Sequence, residues 1–403
     1  MGKFKQLLAA NLVSMVGTGI SSYLIIWLLI DQLRQSVLYG YLTIFVMILL
    51  IVLAPYLGSL IDHHSRKLIF YYLELSGAIL LVAFIALYSL DIKSIQILLL
   101  TMLIIYQHLY DSIKYPILAA LTQEMFKKEQ YNKVNSSLEV QGQTAAMVST
   151  AIAAFSVGTI SIYIIIIINI VTHLTSAFLI FTMPHDTKNV HQVKKEKSHF
   201  IHDFMESMNY LRELPLFISI ILMVSFSPAI AVIVMNYIEP IFVYHYLNGG
   251  PEIIGAANLL YAVGAIVGGV VSLFFSKRLT PAKALFTFML IFTVATVAVF
   301  VVPSFMMLFV ASTLWGVSNA ASRIFRKDFM LNHIDNRYMG RVNTSFNSLK
   351  LLVQSILIFI ITSIFVSNDQ ILSSYLTLVI LTLVSSIVLI IGSLTERNLI
   401  KVT

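Results

Sequence analysis

The stretch GSLIDHHSRK, residues 58–67, interrupts a long apolar sequence with one acid, two histidines and two cations. Asp62, His63 and His64 stand in a row and are all possible metal ligands. A protein metal site usually needs three or four converging ligands held in a fixed geometry, and a loop DHH without further ligands is a poor one. Apolar runs long enough to cross a bilayer flank the stretch on both sides. The stretch therefore predicts a polar connection between two membrane-spanning helices, and no metal site.

The composition of the 403-residue chain indicates that lipid is its main solvent. Hydrophobic residues make up 58% of the sequence and charged residues 11%, whereas soluble domains carry roughly a quarter charged residues. Such a chain has too little polar surface to cover a globule of this size in water. The sequence contains no cysteine, which excludes disulfides and thiolate metal ligands.

Twelve apolar segments are long enough to cross a bilayer as helices, since one span needs about 20 mostly apolar residues. The N-terminus begins like a secretory signal peptide, but its apolar run continues to Ile30 and predicts an uncleaved first span. The predicted spans are 7–30, 37–60, 68–90, 95–121, 136–158, 160–183, 215–246, 252–275, 282–301, 303–325, 343–366 and 371–394.

The cations of the loops fall almost entirely on one side of these spans. Lysine and arginine accumulate in the cytoplasmic loops of membrane proteins. The alternating loops on the opposite side carry only Arg34 and Lys93. This asymmetry predicts a multi-pass protein with both termini in the cytoplasm. The net charge of +7 then reflects topology, and a nucleic-acid partner is not needed to explain it.

The two halves of the chain repeat each other. KVNSSL at 133–138 returns 208 residues later as RVNTSF at 341–346. A period near 200 residues indicates a duplicated six-helix unit rather than a solenoid. The predicted domains are an N-terminal bundle over 1–184, a cytoplasmic linker over 185–214 and a C-terminal bundle over 215–403.

The linker contains one amphipathic segment. Phe200, Phe204, Met208 and Leu211 recur at helical spacing in an otherwise polar sequence. This pattern predicts a helix that lies along the inner leaflet.

The opening stretch and the twelve spans resemble the major facilitator superfamily. Gly58, Leu60, Asp62, Arg66 and Lys67 fill the Gly-x-Leu-x-Asp-x-x-x-Arg-Lys pattern that this family places between spans two and three. The resemblance implies an all-α membrane protein with twelve transmembrane helices in two pseudo-symmetric six-helix bundles. It also implies a gate at this loop, where Gly58 permits close helix approach and Asp62 latches the two halves.

Two loop sequences narrow the resemblance. LTQEMFKKEQYNKVNSS (121–137) and HIDNRYMGRVNTS (333–345) look like loops of the macrolide-efflux-like branch, which contains exporters of drugs and of siderophores or metallophores. The branch implies a monomeric secondary transporter of the bacterial cytoplasmic membrane that uses alternating access and the proton gradient, without a cofactor. Drug antiporters often have a Gly-rich, Pro-containing span five, whereas 142–158 reads GQTAAMVSTAIAAFSVG. This departure weakens the case for a proton-coupled multidrug antiporter.

Charged side chains within the spans are functional candidates, because a charge in hydrocarbon is costly. In span four Gln107, Asp111 and Lys114 recur at helical spacing and form one polar stripe, with His108 beside it. Asp111 and Lys114 either neutralise each other as a structural pair or line a substrate or ion pathway. The sequence leaves both interpretations open.

Other spans add single candidates. Glu74 of span three is close to the cytoplasmic end, where snorkelling of the side chain explains it, and Pro240 is expected to break span seven beside Glu239. Lys350 has no acid within a helical turn, so it predicts either a site for an anionic group or a salt bridge to another helix; Arg323 extends this basic lining. The pathway candidates are Asn11, Ser14, Thr18, Gln107, His108, Asp111, Lys114, Asn236, Glu239, Arg323 and Lys350, and the gate candidates are Gly58, Asp62, Arg66 and Lys67.

Lys114 and Lys350 favour a small-molecule cargo that bears carboxylates, which suits export of a siderophore or metallophore. The alternative is a proton-coupled multidrug pump whose cationic cargo meets Asp111 or Glu239. An enzyme is not indicated, since the sequence has no Ser-x-x-Lys, His-Glu-x-x-His or phosphate-binding-loop motif. The duplicated halves argue against a receptor without transport activity, because symmetry about a central site suits alternating access.

Overall fold

The computed structural model of the chain describes residues 2–126, 128–184, 200–276 and 278–400. Within these ranges the chain is helical, and none of these residues forms a strand. The helices are α1 (Lys3–Trp27), α2 (Ser36–His63), α3 (Arg66–Tyr88), α4 (Lys93–Met125), α5 (Lys128–Ser156), α6 (Ile162–Thr182), α7 (Phe200–Glu213), α8 (Leu216–Val224), α9 (Ser227–Ile241), α10 (Pro251–Phe275), α11 (Pro281–Val301), α12 (Phe305–His333), α13 (Asn336–Ile360) and α14 (Ile371–Ile400).

Each predicted span corresponds to one helix, or to two helices for span seven. Ten segments of the described chain are long and apolar enough to cross a membrane. The other two spans, α4 and α5, have 33 and 29 residues but a more polar sequence. Large apolar side chains such as Phe155 and Leu216 are 80% and 76% exposed, as expected for helices solvated by lipid. The predicted all-α membrane fold is confirmed.

The chain divides into two compact units. The first contains α1 to α6 together with Gly249–Ala256, and the second contains the described helices from Phe200 to Asn248 and from Ala257 onward. In the first unit α1 packs along α5 and α6, and α3 packs along α4 and α6. In the second unit α11 packs along both α12 and α14.

The backbone repeats a feature in the two spans that the duplicated sequence equates. Span one ends in a wide π-helical turn, Leu28–Gln32, followed by Arg34 in the left-handed region with φ 56°. Span seven ends in the same kind of turn, Phe242–Tyr246, followed by Asn248 with φ 53°. A left-handed residue commonly terminates a helix. Span eleven ends similarly, with a π-helical turn at Ile361–Phe365 and Asp369 at φ 56°, so this ending is a recurrent way of terminating spans in the chain.

Span seven is broken, but not where the sequence predicts. α8 ends at Val224 and α9 begins at Ser227, with Pro228 in the first turn of α9. Proline fits the first turn of a helix but cannot extend a helix that precedes it, because it lacks an N–H and its ring clashes with the previous turn. The helix runs through Pro240 and widens only at Phe242. The expected break at Pro240 is wrong.

The amphipathic helix of the linker is present as α7, while residues 185–199 of the predicted linker lie outside the described residues. α7 packs against α13 within the second unit. The rings of Tyr210 and Tyr338 stack with centroids 4.3 Å apart, and the Tyr210 hydroxyl accepts a hydrogen bond from the backbone N–H of Asp335 at 2.9 Å. These contacts attach the linker helix to the start of span eleven.

Candidate functional site

The opening stretch forms the ends of two helices and a two-residue connection. α2 ends at His63 and α3 begins at Arg66, where the Ser65 side chain caps α3 by accepting a hydrogen bond from its first turn. Gly58 and Asp62 lie in the last two turns of α2, and their side chains are outside the described part of the structure. The stretch therefore joins two spans, as the sequence predicts.

The two cations of the stretch make contacts within the first unit. Arg66 forms an ion pair with Glu124 near the end of α4. The Nζ atom of Lys67 donates a hydrogen bond to the backbone carbonyl of Met183, just past the end of α6, at 2.7 Å. The last carbonyls of a helix lack backbone partners and carry partial negative charge, so a cation there is favourable. The cations thus tie together the ends of α3, α4 and α6, and the gate role between the halves stays a prediction.

Replacing Lys67 by methionine should lower the free energy of unfolding by about 1–2 kcal/mol, since it removes a charged hydrogen bond to a helix end. Lys93→Met is the matched control, because Lys93 is exposed at the start of α4. Thermal unfolding in detergent measures both variants. Equal losses in the two variants would contradict a specific role for the Lys67 contact.

A buried polar network lies in the first unit around Glu74 of α3. This side chain is 0% exposed. Its Oε2 atom is 2.6 Å from Nδ1 of His173 on α6, and its Oε1 atom accepts hydrogen bonds from Tyr110 at 2.8 Å and Ser176 at 3.0 Å. Every oxygen of the carboxylate is therefore satisfied inside the protein. The interpretation of Glu74 as a snorkelling side chain is wrong, because α4 and α6 enclose it.

Lys114 extends this network from α4 to α1. Its ammonium donates a hydrogen bond to the Ser14 hydroxyl at 3.0 Å, and that hydroxyl is also hydrogen-bonded to Tyr110. The ammonium also lies over the rings of Tyr110 and Phe70, 5.0 and 5.9 Å from their centroids. Lys114 is 2% exposed, and Glu74 is the carboxylate that acts on it most strongly. The positive charge of Lys114 is therefore opposed by the negative charge of Glu74 within the same unit.

Asp111 occupies a different position from Lys114 despite the helical spacing. Its side chain is exposed, and it makes no ion pair with Lys114 within 4 Å among the described side chains. The charges of Lys114 and His108 still act on Asp111 at longer range. Nδ1 of His108 bonds to the carbonyl of Ile104 in its own helix, 2.9 Å away. Of the two interpretations that the sequence leaves open, a direct Asp111–Lys114 pair is not formed, and Lys114 instead contacts the Glu74 network.

The polar face of span one contacts two neighbouring helices, α4 and α5, and its own backbone. Ser14 belongs to the buried network, whereas Asn11 donates a hydrogen bond to Gln141 of α5 at 3.0 Å. Thr18 bonds to a carbonyl of its own helix, and the Gln107 amide of α4 bonds to Ser22. The predicted span-one candidates other than Ser14 therefore join helices or satisfy their own backbone.

Three cations gather in the second unit beside the break in span seven. Arg326 of α12 donates a hydrogen bond to the carbonyl of Ser225 at 3.3 Å, and its guanidinium lies 4.1 Å from the ring centroid of Phe226. The charge of Arg323 acts on Arg326, and that of Arg326 acts on Lys350 of α13. Among the side chains that the structure describes, no acid lies within 4 Å of any of the three. We call these three residues the basic cluster.

The face of α13 that carries Lys350 also meets the broken span. One turn earlier, Phe346 stacks on Phe226 with centroids 5.0 Å apart. One turn later, the fully buried Gln354 donates a hydrogen bond to the carbonyl of Ala229 at 3.4 Å. The basic cluster is therefore held against the start of α9 on two sides.

Glu239 lies buried near the C-terminal end of α9. It is 7% exposed, and its Oε1 atom has no hydrogen-bond partner among the described residues. The Tyr375 hydroxyl of α14, on which the charge of Glu239 acts, is likewise without a partner there. Asn236 is exposed, while Tyr237 of the same turn bonds to Thr362 at 2.7 Å. Asn236 and Glu239 thus occupy different environments.

Two residues of the buried network are not among the functional candidates that the sequence indicates. Glu74 is explained there by its distance from the helix end, and His173 is not considered at all. A signal exists for both: each is an ionisable side chain within an apolar span, and such residues are functional candidates by default. Their pairing connects span three to span six. The spacing of residues along one helix cannot reveal such a contact between two helices.

Several solved membrane-protein structures share this fold. They include the nucleoside transporter NupG (TM-score 0.74, 12% identity, 97% of this chain and 100% of that chain). A bacterial homologue of the iron transporter ferroportin in its inward-facing state also matches (TM-score 0.73, 15% identity, 97% and 98%). A bacterial metal transporter gives a TM-score of 0.71 at 13% identity, with coverage of 98% and 99%. Identities this low show a common fold alone.

Comparison with curated proteins gave no match. The sequence profile of the Major Facilitator Superfamily, by contrast, matches residues 7–358, which is most of the chain. The profile match and the structural similarities agree with the all-helical, multi-pass architecture. The protein therefore belongs to the Major Facilitator Superfamily and is a membrane transporter rather than an enzyme.

Proposed function

We propose that this transporter exports a small carboxylate-bearing molecule, such as a siderophore or metallophore, across the bacterial cytoplasmic membrane. The direction rests on the similarity of its two cytoplasmic-side loop sequences to the macrolide-efflux-like branch. The cargo class rests on the basic cluster. The protein works by alternating access as a monomer, without a cofactor, with both termini in the cytoplasm.

The single observation that carries the cargo class is that no acid among the described side chains lies within 4 Å of the basic cluster. Arg326 and Lys350 repel each other in a partly buried place, and that repulsion is relieved when an anion binds between or beside them. A guanidinium presents a planar fork of donors that matches a carboxylate. An anionic cargo would supply the missing negative charge.

The backbone beside the cluster suits the same kind of ligand. Transporters often form their substrate sites at broken helices, where the start of the second half-helix directs its positive end at an anionic group. In this chain α8 ends at Val224 and α9 begins at Ser227, and Arg326 is fixed at that break. The positive end of α9 and the cations of the basic cluster thus both favour negative charge beside the break in span seven.

We also propose that the proton gradient takes part in the cycle, together with the membrane potential. An anion that leaves a cell with a negative interior gains about 2.3 kcal/mol per charge for each 100 mV. The potential alone therefore favours outward movement of a polycarboxylate.

Replacing Lys350 or Arg326 by glutamine should reduce export of a polycarboxylate by roughly 10- to 100-fold, because each change removes a charged hydrogen bond to the cargo. The measurement is movement of radiolabelled citrate, as a probe, in proteoliposomes with an imposed membrane potential. Lys283→Gln is the matched control, since Lys283 is exposed at the start of α11. Lys283→Gln should transport citrate at the wild-type rate.

Two results would contradict this cargo class. Citrate movement that is unchanged in both cluster variants would show that the cations only anchor the protein at the inner membrane surface. Export of ethidium, a lipophilic cation, without any export of citrate would also overturn it.

That second result would support a proton-coupled multidrug pump, which one observation favours. Glu239 is a buried carboxyl group with an unsatisfied oxygen and no cation within 4 Å among the described side chains, so it is a candidate for binding a proton or a cationic drug. In that case Glu239→Gln or Asp111→Asn should stop ethidium efflux. The same variants should leave citrate transport intact if the first proposal holds.

A further inference from the structure

We propose that Glu74 and His173, buried between α3 and α6, bind and release one proton during the transport cycle, and that Lys114 sets how tightly this proton is held. The proposal rests on, and deepens, the coupling to the proton gradient proposed above. It assigns that coupling to a site inside the first unit, separate from the basic cluster.

The geometry at the pair suits a shared proton. Nδ1 of His173 and Oε2 of Glu74 are 2.6 Å apart, and both side chains are at most 2% exposed. Histidine is the side chain whose ordinary protonation range covers physiological pH. Uptake forms one N–H or O–H bond on the pair and release breaks it, with the proton exchanged with water and no other bond altered.

The groups that surround the pair come from α4, α6 and α1. Among the described residues, Lys114, Tyr110 and Tyr106 face it from α4, His173 itself comes from α6, and α1 contributes the neutral Ser14 hydroxyl. With a neutral imidazole, the charges of Glu74 and Lys114 cancel. An added proton leaves one net positive charge in a place from which water is excluded, which makes its binding sensitive to small changes in the position of Lys114.

Hydroxyl groups connect the two charged ends of the network. The Ser14 and Tyr110 hydroxyls are hydrogen-bonded to each other, and Ser14 is the donor because Tyr110 donates its one proton to Glu74. Ser14 accepts from Lys114, and Tyr110 donates to Glu74. A chain of groups that both donate and accept can reorganise without breaking the helices apart.

Gly77 of α3 and Tyr106 of α4 lie on the other side of the imidazole. A Cβ atom at Gly77 would lie 3.0 Å from Nε2 of His173 and 2.9 Å from the Tyr106 hydroxyl, so the glycine leaves space where these two groups approach each other. The Tyr106 hydroxyl is 3.0 Å from the hydroxyl of Ser76, which is exposed. Among the described residues no hydrogen bond joins Tyr106 to the imidazole, and Ser76 lies on the same exposed face of α3 as Tyr72.

Protonation of this pair affects how four helices are held together. Ser14, Glu74, Lys114 and His173 lie on α1, α3, α4 and α6 and meet in one network. When the carboxylate is neutralised or balanced by an imidazolium, its attraction for Lys114 weakens. The proton thus changes the force between helices that pack along one another in the first unit.

The test is a proton count on purified protein in lipid nanodiscs, made with a pH-indicator dye and without cargo. Between roughly pH 5 and 8, the wild type should take up one more proton than Glu74→Gln. Glu213→Gln is the matched control, because Glu213 is an exposed glutamate at the end of α7 and is not part of the buried network. Glu213→Gln should match the wild type. Equal uptake by the wild type and Glu74→Gln would overturn the proposal.

A second variant serves if Glu74→Gln does not fold. Lys114→Met removes the cation that favours the carboxylate, so the midpoint of proton uptake should move up by about 1–3 pH units. An unchanged midpoint would overturn the role of Lys114 and the proposal with it. Because no cargo is present, this result and the citrate result fail independently of each other.

Discussion

Replacement of Glu74 by leucine is expected to lower the free energy of unfolding by about 3–5 kcal/mol, because it leaves several buried polar groups and one buried ammonium without the carboxylate. The variant leaves the Lys114 ammonium, which is 2% exposed, without the carboxylate that acts on it most strongly. It also removes the acceptor for His173, Tyr110 and Ser176. Steric trapping in bicelles measures the change, and the yield of monodisperse protein in detergent should fall with it.

The double variant Glu74→Leu/Lys114→Leu separates the charge effect from the loss of packing. Removing both charges should restore at least about 2 kcal/mol relative to Glu74→Leu alone, because no uncompensated charge stays buried. Asp111→Leu should change the stability by less than about 0.5 kcal/mol, since Asp111 is exposed on the same helix as Lys114. Strictly additive losses for Glu74 and Lys114 would show that the two side chains do not share an interaction.

The helices and their number could be predicted from the sequence because both depend on local composition. Runs of about 20 apolar residues mark the spans, and the side on which cations fall marks their alternation. The amphipathic spacing of Phe200, Phe204, Met208 and Leu211 likewise identifies α7. Each of these signals is complete within one segment of the chain.

The partners within the candidate sites could not be predicted in the same way. Helical spacing shows that Asp111 and Lys114 lie near one face of α4, but not which neighbouring helix carries the nearest charge. The charge that acts most strongly on Lys114 is that of Glu74 on α3, and the fold of the whole unit brings these two side chains together. The break in span seven shows a related limit, since Pro228 and Pro240 both permit a break and tertiary packing decides between them.

The second half of the chain also contains a close helix contact that a short glycine pattern explains. Gly264 and Gly268 of α10 lie against the backbone carbonyls of Thr313 and Val317 in α12, and Gly316 of α12 lies against α10 in turn. Small residues four apart let transmembrane helices approach until their backbones touch. In this contact a side chain on either helix would meet main-chain atoms, which cannot rotate away.

Two adjacent glycines of α10 test this contact with opposite expected signs. Gly268→Ala should lower the free energy of unfolding by about 2–3 kcal/mol, since its Cβ would overlap the Val317 carbonyl and force the helices apart. Gly269→Ala should raise it by up to about 1 kcal/mol, because nothing lies within 4 Å of that Cβ and alanine is the better helix former. Steric trapping of both variants provides the comparison. A loss of stability in both variants would contradict this explanation. It would mean that the two glycines provide backbone flexibility and not a close contact between α10 and α12.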